Sequence, residues 1–224
     1  METLLSVMIL SHSRNIVHIK WLAAPINPAD LNTLEGVYPV KPPLPAVPGL
    51  EGYGRVEKIG SRVKKFRVGD HVLPAKADMG TWRTDGYHDE ADLVAIDNSL
   101  SMEASATLLI NPPTAYRMLK DFVDLKPGDT IIQNGANSAV GRAVIQAPTG
   151  PFIFKDIRLI GFWITPWFDD VKNAEERKRM FAELSGWMKS GKFIPPPLEK
   201  RNIEDFASAI EAAVKFGKKQ LLVM

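Results

Sequence analysis

Apolar and polar residues alternate over the first hundred positions in short runs that are typical of strands. Within residues 16–22, Val17, Ile19 and Trp21 alternate with polar residues, which is the pattern of a half-buried strand. Turns about every ten residues favour a small β-barrel. The predicted strands are residues 16–22, 49–60, 91–96 and the end of 68–74. Residues 25–30 are predicted as a turn, and 37–48, with five prolines, as a loop.

The period of the pattern changes after residue 100. Helices are predicted for residues 102–109, 114–122, 173–190 and 202–214, and strands for 130–133, 158–165 and 220–224. Asn173 and Glu176 have the spacing of a capping box at the start of the third helix, and Gly191 follows its end as a C-cap.

Residues 130–146 combine a predicted strand, a loop rich in Gly, Ser and Asn, and the start of a helix. This order is the first unit of a dinucleotide-binding fold. The strict G-x-G-x-x-G pattern is absent, and what remains ends in Gly141. Taken alone, the segment is equally well explained as a plain strand–turn–helix connection, which is common in α/β proteins.

Composition excludes several kinds of chemistry. The chain has 224 residues, no Cys and a net charge of +2. Disulfides, thiol nucleophiles and Cys-containing metal sites are therefore excluded, and the charge speaks against a nucleic-acid-binding protein. The four His residues lack the spacing of metal ligands, so no metal is predicted. No stretch approaches the ~20 apolar residues that span a bilayer. Two classes of protein remain after these exclusions: a cofactor-dependent enzyme and a chain without catalytic activity.

Three segments of the first half, residues 25–32 (PINPADLN), 45–60 (PAVPGLEGYGRVEKIG) and 68–72 (VGDHV), resemble the catalytic domain of the medium-chain dehydrogenases/reductases. The zinc enzymes of that superfamily carry a Gly-His-Glu triplet that supplies a metal ligand. Here the matching triplet is Gly49–Leu50–Glu51, and there is no Cys. The resemblance is therefore to the zinc-free branch.

Further segments resemble the trans-2-enoyl thioester reductases of that branch; they are residues 80–84 (GTWRT), 106–118 (ATLLINPPTAYRM), 129–146, 153–163 and 219–224. The resemblance implies an α/β chain with an N-terminal GroES-like β-barrel and a truncated Rossmann-like cofactor domain with C-terminal helices. The expected boundaries are 1–105 for the barrel and 106–205 for the cofactor domain. Residues 206–224 would return to the barrel.

The same resemblance implies the site residues. Tyr38 matches the catalytic tyrosine of the family, although it could be a loop aromatic packed on the barrel. The positions that match cofactor contacts, or neighbour them, are Asn111, Thr114, Gly141, Phe162, Trp163, Ile164, Thr165 and Lys219. Four of these residues could instead have a purely structural role. Asn111 could be a helix N-cap, Phe162 and Trp163 could pack in the core, and Lys219 could be a solvated charge.

The implied activity is the NADPH-dependent reduction of a trans-2-enoyl thioester, carried by acyl carrier protein or CoA, in mitochondrial fatty acid synthesis. A hydride reaches the β-carbon and a proton then reaches the α-carbon. Charge builds on the thioester oxygen between these steps, so a donor such as the Tyr38 phenol matters most there. A homodimer is a further expectation, and neither nucleic acid nor a membrane span is expected.

The chain departs from this family in the middle of the cofactor domain. Only residues 142–157 separate the start of its first helix from its last apolar strand. One βαβ unit takes ~30 residues, and such a domain contains several. A second hypothesis therefore stands beside the reductase: a non-catalytic chain that pairs with a full-length relative or has no role of its own.

Overall fold

The computed structural model describes residues 15–39, 41–76, 79–126, 131, 133, 135–146, 164–215 and 217–224. The described residues divide into two compact units. The first extends to Ala106 and includes Pro197–Met224, and the second is Thr107–Pro196. A mixed sheet with helices forms the first unit, which agrees with the predicted α/β class.

Seven strands make up the sheet of the first unit in its described residues. They are β1 (Ile16–Pro25), β2 (Tyr53–Ile59), β3 (His71–Pro74), β4 (Asp85–Asp89), β5 (Leu93–Ile96), β6 (Leu198–Asn202) and β7 (Lys219–Val223). Their order is β5-β3-β2-β1-β7-β6, with β4 also paired to β1. The ladders are antiparallel except for β6 with β7, which is parallel.

The predicted alternation in β1 is confirmed by burial. Val17, Ile19 and Trp21 are fully buried and belong to the hydrophobic core of the first unit. Gly54 lets β2 approach β1 closely, because a Cβ there would lie 2.3 Å from Ile19 Cγ2 and 2.8 Å from a backbone oxygen. A glycine near the start of β2 is thus required by the close approach of the neighbouring strand.

Two elements of the first unit differ from the prediction. Residues 25–30, predicted as a turn, contain the end of β1 and the start of helix α1 (Pro28–Leu34). Proline is well tolerated in the first turn of a helix, where its missing N–H costs nothing, so Pro28 begins α1 rather than ending structure. Strand β4 was not predicted, since its sequence DGYHD has low strand propensity and it forms by pairing with β1.

The C-terminal segment returns to the first unit. Residues 198–202, which sequence analysis assigns to the cofactor domain, form β6 beside β7. Helix α7 (Phe206–Val214) connects the two strands, and its Ala209 packs with Leu222 in a second core cluster. Strand β7 in turn pairs with β1, with Leu222 opposite Ala24. The last strand of the chain thereby lies next to the first described one.

Helices alone make up the secondary structure that is described in the second unit. They are α3 (Asn111–Lys120), α4 (Ala139–Gln146), α5 (Ile164–Asp169) and α6 (Ala174–Lys189); α2 (Met102–Ala106) belongs to the first unit. The strand predicted for residues 130–133 lies partly outside the described residues, and its described positions, 131 and 133, are in no strand. No helix in the described ranges is long and apolar enough to cross a bilayer.

The strand predicted for residues 158–165 is wrong at its end. Residues 158–163 lie outside the described residues, but Ile164 and Thr165 begin helix α5. Pro166 occupies the first helical turn, a position that proline tolerates. Phe168 of the same helix is buried and stacks on Phe181 at 6.0 Å between ring centroids. Residues 164–169 therefore form a helix that packs against α6.

The boundaries of α6 agree with prediction, but its capping does not. Gly191 follows the helix with a φ of +72°, the left-handed conformation expected after a C-terminus. The capping box is wrong, because Asn173 makes no side-chain cap. Its amide instead donates to the Trp167 carbonyl at 2.9 Å, and Glu176 accepts from Arg117. Tertiary partners have displaced the local motif.

Candidate functional site

Tyr38 lies just beyond the C-terminal end of α1, in the first unit. Its backbone N–H donates to the Asn32 carbonyl at 3.1 Å, and the N–H of Val37 donates to the same oxygen at 3.0 Å. The Tyr38 side chain is half-buried, while its neighbour Val37 is 68% exposed. Tyr38 is therefore accessible and tied by its backbone to the last turn of α1, although its catalytic role stays a prediction.

The other end of α1 contains a group of three buried polar residues and the half-buried Lys219, of which the sequence had indicated only Lys219 as a site residue. This group, called the buried polar cluster below, consists of Asn27, Asp30, Glu51 and Lys219. The amide of Asn27 donates to Glu51 Oε2 at 2.7 Å, and the Lys219 ammonium donates to Asn27 Oδ1. Glu51 is fully buried, and Asn27 and Asp30 are 3% and 2% exposed. Lys219 itself is half-buried, and because its ammonium is bound to Asn27, the interpretation as a freely solvated charge is wrong.

Asp30 joins the start of α1 to the segment before β2. Its two carboxylate oxygens accept the N–H groups of Asn27 at 2.7 Å and Leu50 at 2.8 Å. Burial raises the pKa of Asp30 to about 6, opposed by these two hydrogen bonds. Burial also lowers the pKa of Lys219, although the Glu51 and Asp30 charges act in the opposite direction. The cluster is thus a desolvated set of opposite charges.

In the second unit, a tight turn precedes α4 and depends on Gly141. A Cβ at Gly141 would lie 2.4 Å from the Gly135 carbonyl oxygen and 2.8 Å from the Cα and O of Ala136. The Ser138 hydroxyl accepts from the Gly141 N–H at 3.1 Å, and residues 135–138 are exposed. Glycine is needed in nucleotide-binding turns for this kind of close packing between turn and helix.

Asn111 begins helix α3 and lines a shallow pocket that is partly open to solvent and has enclosed space for about one water molecule. The pocket is formed within the second unit by α3, α4 and the segment after α6; among its lining residues are Ala139, Arg142, Phe193 and Pro195. Ile110 holds the N-cap position of α3, which rules out the N-cap interpretation of Asn111. Thr114, one turn along α3, donates its hydroxyl to the Ile110 carbonyl at 2.6 Å.

Only some of the remaining predicted cofactor contacts lie within the described residues. Ile164 is buried and Thr165 half-buried at the start of α5, while Phe162 and Trp163 lie outside the described residues. Asn111, Thr114 and Gly141 belong to the second unit with α5, and Tyr38 and Lys219 belong to the first. Their binding roles stay predictions. Among described side chains, no three carboxylate or His groups come together as a metal site would require.

Comparison with known proteins gives the class of the first unit. The alcohol dehydrogenase GroES-like domain matches residues 13–98. Among solved structures, the mitochondrial 2-enoyl thioester reductase Etr1p/Etr2p heterodimer from Candida tropicalis has a TM-score of 0.80 and 23% identity, covering 95% of this chain and 92% of that one. The Etr1p/NADP/crotonyl-CoA complex gives the same score and coverage at 23% identity. The fold is that of the medium-chain dehydrogenases/reductases.

A sequence relative gives the family. The mitochondrial enoyl-[acyl-carrier-protein] reductase of Caenorhabditis elegans is 42% identical over 300 residues, which covers 95% of this chain and 87% of that protein. The chain belongs to the enoyl-[acyl-carrier-protein] reductases, a family of oxidoreductases. The 300 aligned residues exceed the 224 of the whole chain, so the alignment includes positions that this chain lacks. That the missing positions belong to the dinucleotide-binding domain stays a prediction.

Proposed function

We propose that this chain reduces trans-2-enoyl thioesters, bound to acyl carrier protein or CoA, with NADPH in mitochondrial fatty acid synthesis. The observation that carries the proposal is the 42% identity to a mitochondrial enoyl-[acyl-carrier-protein] reductase across 95% of the chain. The likeness in fold to a reductase solved with NADP and crotonyl-CoA supports the same cofactor and substrate class. Reduction of a carbon–carbon double bond is the reaction that follows.

The residues that would hold NADPH have features that suit a dinucleotide. Gly141 permits the close turn before α4, and the exposed residues 135–138 precede that helix, whose N-terminal end favours a phosphate. Asn111 opens onto the pocket that α4 also lines. The proposed set is Asn111, Thr114, Gly141, Phe162, Trp163, Ile164, Thr165 and Lys219. When bound, NADPH supplies the hydride that the β-carbon of the substrate accepts.

Tyr38 is the proposed catalytic residue. Its phenol donates a hydrogen bond to the thioester oxygen, where negative charge builds after the hydride reaches the β-carbon. The same hydroxyl is a proton source for the α-carbon. The half-buried side chain supports this role, because it combines access to a ligand with a backbone that two hydrogen bonds to Asn32 hold in place.

A crotonyl-CoA assay that follows NADPH absorbance tests the proposal. Tyr38→Phe removes only the hydroxyl, so we expect kcat to fall by about 10²-fold, the scale for loss of one donor to a developing oxyanion. Tyr87→Phe is the matched control, since Tyr87 stacks on His18 at 4.6 Å in the sheet and should keep full activity. Turnover that is equal in Tyr38→Phe and the unchanged chain would refute the role of Tyr38.

One observation favours a second candidate. The alignment with the Caenorhabditis elegans reductase spans 300 residues, more than the 224 of this chain, so the chain lacks positions that the relative has, and a dinucleotide needs the complete crevice outside the carboxyl ends of a parallel sheet. Weak NADPH binding and low turnover by the isolated chain follow from this. The second candidate is a chain without catalysis of its own that pairs with a full-length relative. Light scattering and NADPH fluorescence, each with and without that relative, distinguish the two candidates. If the chain forms no mixed complex and binds NADPH by itself, the second candidate is excluded.

A further inference from the structure

The buried polar cluster links three distant parts of the chain. Asn27 follows β1, Glu51 precedes β2, and Lys219 begins β7, at 192 residues from Asn27. In the antiparallel ladder Pro25 lies opposite Leu221, and the Ile26 N–H donates to the Gln220 carbonyl at 3.0 Å. Continuing this register brings Asn27 opposite Lys219. The ladder itself therefore presents the ammonium to the Asn27 amide.

Burial makes the contacts of this cluster obligatory. A polar group removed from water is costly unless it is hydrogen-bonded, and a buried charge is costly unless it is paired. Glu51 is fully buried, and its carboxylate accepts from the Asn27 amide, whose oxygen accepts from Lys219. The Asn27 side chain thus uses its donor toward the carboxylate and its acceptor toward the ammonium. An asparagine is suited to bridge these two opposite charges.

The cluster also determines where α1 begins. Asn27 immediately precedes α1, and its backbone N–H donates to the Asp30 carboxylate in the first turn. The second oxygen of that carboxylate accepts from Leu50, next to Glu51. The first turn of α1 is therefore attached to the segment before β2 through Asp30 and to β7 through Asn27 and Lys219.

Tyr38 is attached to the other end of the same short helix. The helix has seven residues, and at its last turn the N–H of Glu35 donates to the Leu31 carbonyl at 2.9 Å. The N–H groups of Val37 and Tyr38 then both donate to Asn32. A displacement of the first turn of α1 would therefore be passed to Tyr38 through a continuous set of backbone hydrogen bonds.

We propose that Lys219 and Glu51 are positioning residues for Tyr38, acting through Asn27, Asp30 and helix α1. This inference rests on the proposed function for its catalytic consequence, but its structural part does not. It gives Lys219 a role inside the first unit in addition to the cofactor contact that the family resemblance implies. The shifts in the pKa of Lys219 and Asp30 caused by burial are consistent with such a desolvated network.

Hydrogen exchange at the Val37 and Tyr38 amides, measured by NMR on the full chain without cofactor, tests the structural part. Lys219→Met removes the cation that faces two buried carboxylates, so exchange at both amides should become about tenfold faster. The double variant Lys219→Met/Glu51→Gln also removes one of these negative charges and should recover most of the protection. Amides of β3 and β5, which lie away from the cluster, should change little in either variant.

Two further variants keep the test decisive. Lys219→Arg retains a cation and a hydrogen-bond donor, so it should preserve the protection of the Val37 and Tyr38 amides. This variant can be measured even if Lys219→Met fails to fold. Lys200→Met is the matched control on the neighbouring strand, because Lys200 is 52% exposed and its ion pair with Glu103 is at the surface. Exchange at Val37 and Tyr38 that stays within about twofold of the unchanged chain in Lys219→Met, or no recovery in the double variant, would overturn the proposal.

Activity measurements separate this inference from the proposed function. If the chain turns over crotonyl-CoA, Glu51→Gln should lower kcat by about tenfold at a nearly unchanged KM for crotonyl-CoA, because Tyr38 is displaced while the substrate still binds. A fall in affinity for crotonyl-CoA alone, with normal kcat, would contradict positioning. If no variant turns over substrate, the proposed function fails, and the exchange rates still decide whether the cluster holds Tyr38.

Discussion

Replacing Gly141 with Ala should destabilise the second unit, although alanine is the better helix former. The added Cβ would lie 2.4 Å from the Gly135 oxygen and 2.8 Å from two atoms of Ala136, against 3.4–4 Å for ordinary contact. All three atoms are backbone, so no flexible side chain can give way. The turn before α4 and the helix must therefore move apart by about 1 Å, the kind of forced shift that accompanies overpacking.

The magnitude follows from two opposing effects. Overpacking of this kind costs about 1–3 kcal/mol, and the short contacts argue for the upper end. The gain in helix propensity from Gly to Ala offsets about 1 kcal/mol of it. The free energy of unfolding of Gly141→Ala should therefore fall by about 1–2 kcal/mol, with a further loss of NADPH affinity because the displaced turn is part of the proposed cofactor site.

Gly186→Ala is the matched control. Gly186 lies within α6, and a Cβ there would meet no heavy atom within 4 Å. The same substitution should stabilise the chain by about 0.5–1 kcal/mol, because it removes backbone freedom from the unfolded state and adds no contact. Urea unfolding followed by circular dichroism and tryptophan fluorescence measures both. A Gly141→Ala variant at least as stable as the unchanged chain would refute the steric argument.

Two further predictions concern charge. Burial, together with the Arg83 guanidinium that donates to Nε2 at 3.0 Å, lowers the pKa of His88 to about 4. In the unfolded chain this His binds its proton near pH 6.5, so the free energy of unfolding should fall as the pH drops from about 6.5 to 4. The loss should be about 2 kcal/mol after allowance for partial exposure. In urea unfolding at several pH values, His88→Gln should abolish this loss. Arg117, 7% exposed, is paired with Asp121 at 2.5 Å and with Glu176. Arg117→Met should therefore destabilise the chain by about 2–3 kcal/mol in the same assay.

Each of these two predictions has its own control. Arg55→Met breaks an ion pair with Glu57 in which the Arg side chain is 46% exposed, so it should change stability by less than about 1 kcal/mol. An equal loss in Arg55→Met and Arg117→Met would show that burial does not govern these pairs. Acid sensitivity that persists unchanged in His88→Gln would assign it to another group.

Local patterns predicted several elements correctly because one short segment contains the whole signal. The alternation of Val17, Ile19 and Trp21 reports which face of β1 is buried, and the apolar stripe of α6 does the same for a helix. Gly191 marks the end of α6 because few other residues adopt a positive φ without strain. Motifs along most of the chain likewise sufficed to recognise the reductase family, since they are local in sequence.

Prediction failed where a distant partner decides the conformation. Strand β4 has a sequence poor in strand-forming residues and owes its extension to the ladder with β1. Asn173 and Glu176 have the right spacing for a capping box, but each is bound to a different residue. Helix α1 is an exception, because its start is visible in the local sequence. Asn27 followed by Pro28 is a typical N-terminal helix signal, so the turn prediction for residues 25–30 is wrong for a local reason.

The sequence by itself determined the family and the α/β class, while the catalytic role of Tyr38 and the shortening of the dinucleotide-binding part stay predictions. Only the tertiary structure decided that Lys219 contacts Asn27 and faces the buried Glu51 and Asp30 rather than lying in solvent. The physical reason is that burial and charge pairing depend on which strands are neighbours. Lys219 meets Asn27 across 192 residues because β7 pairs with β1, and no local pattern of polar and apolar residues specifies that pairing.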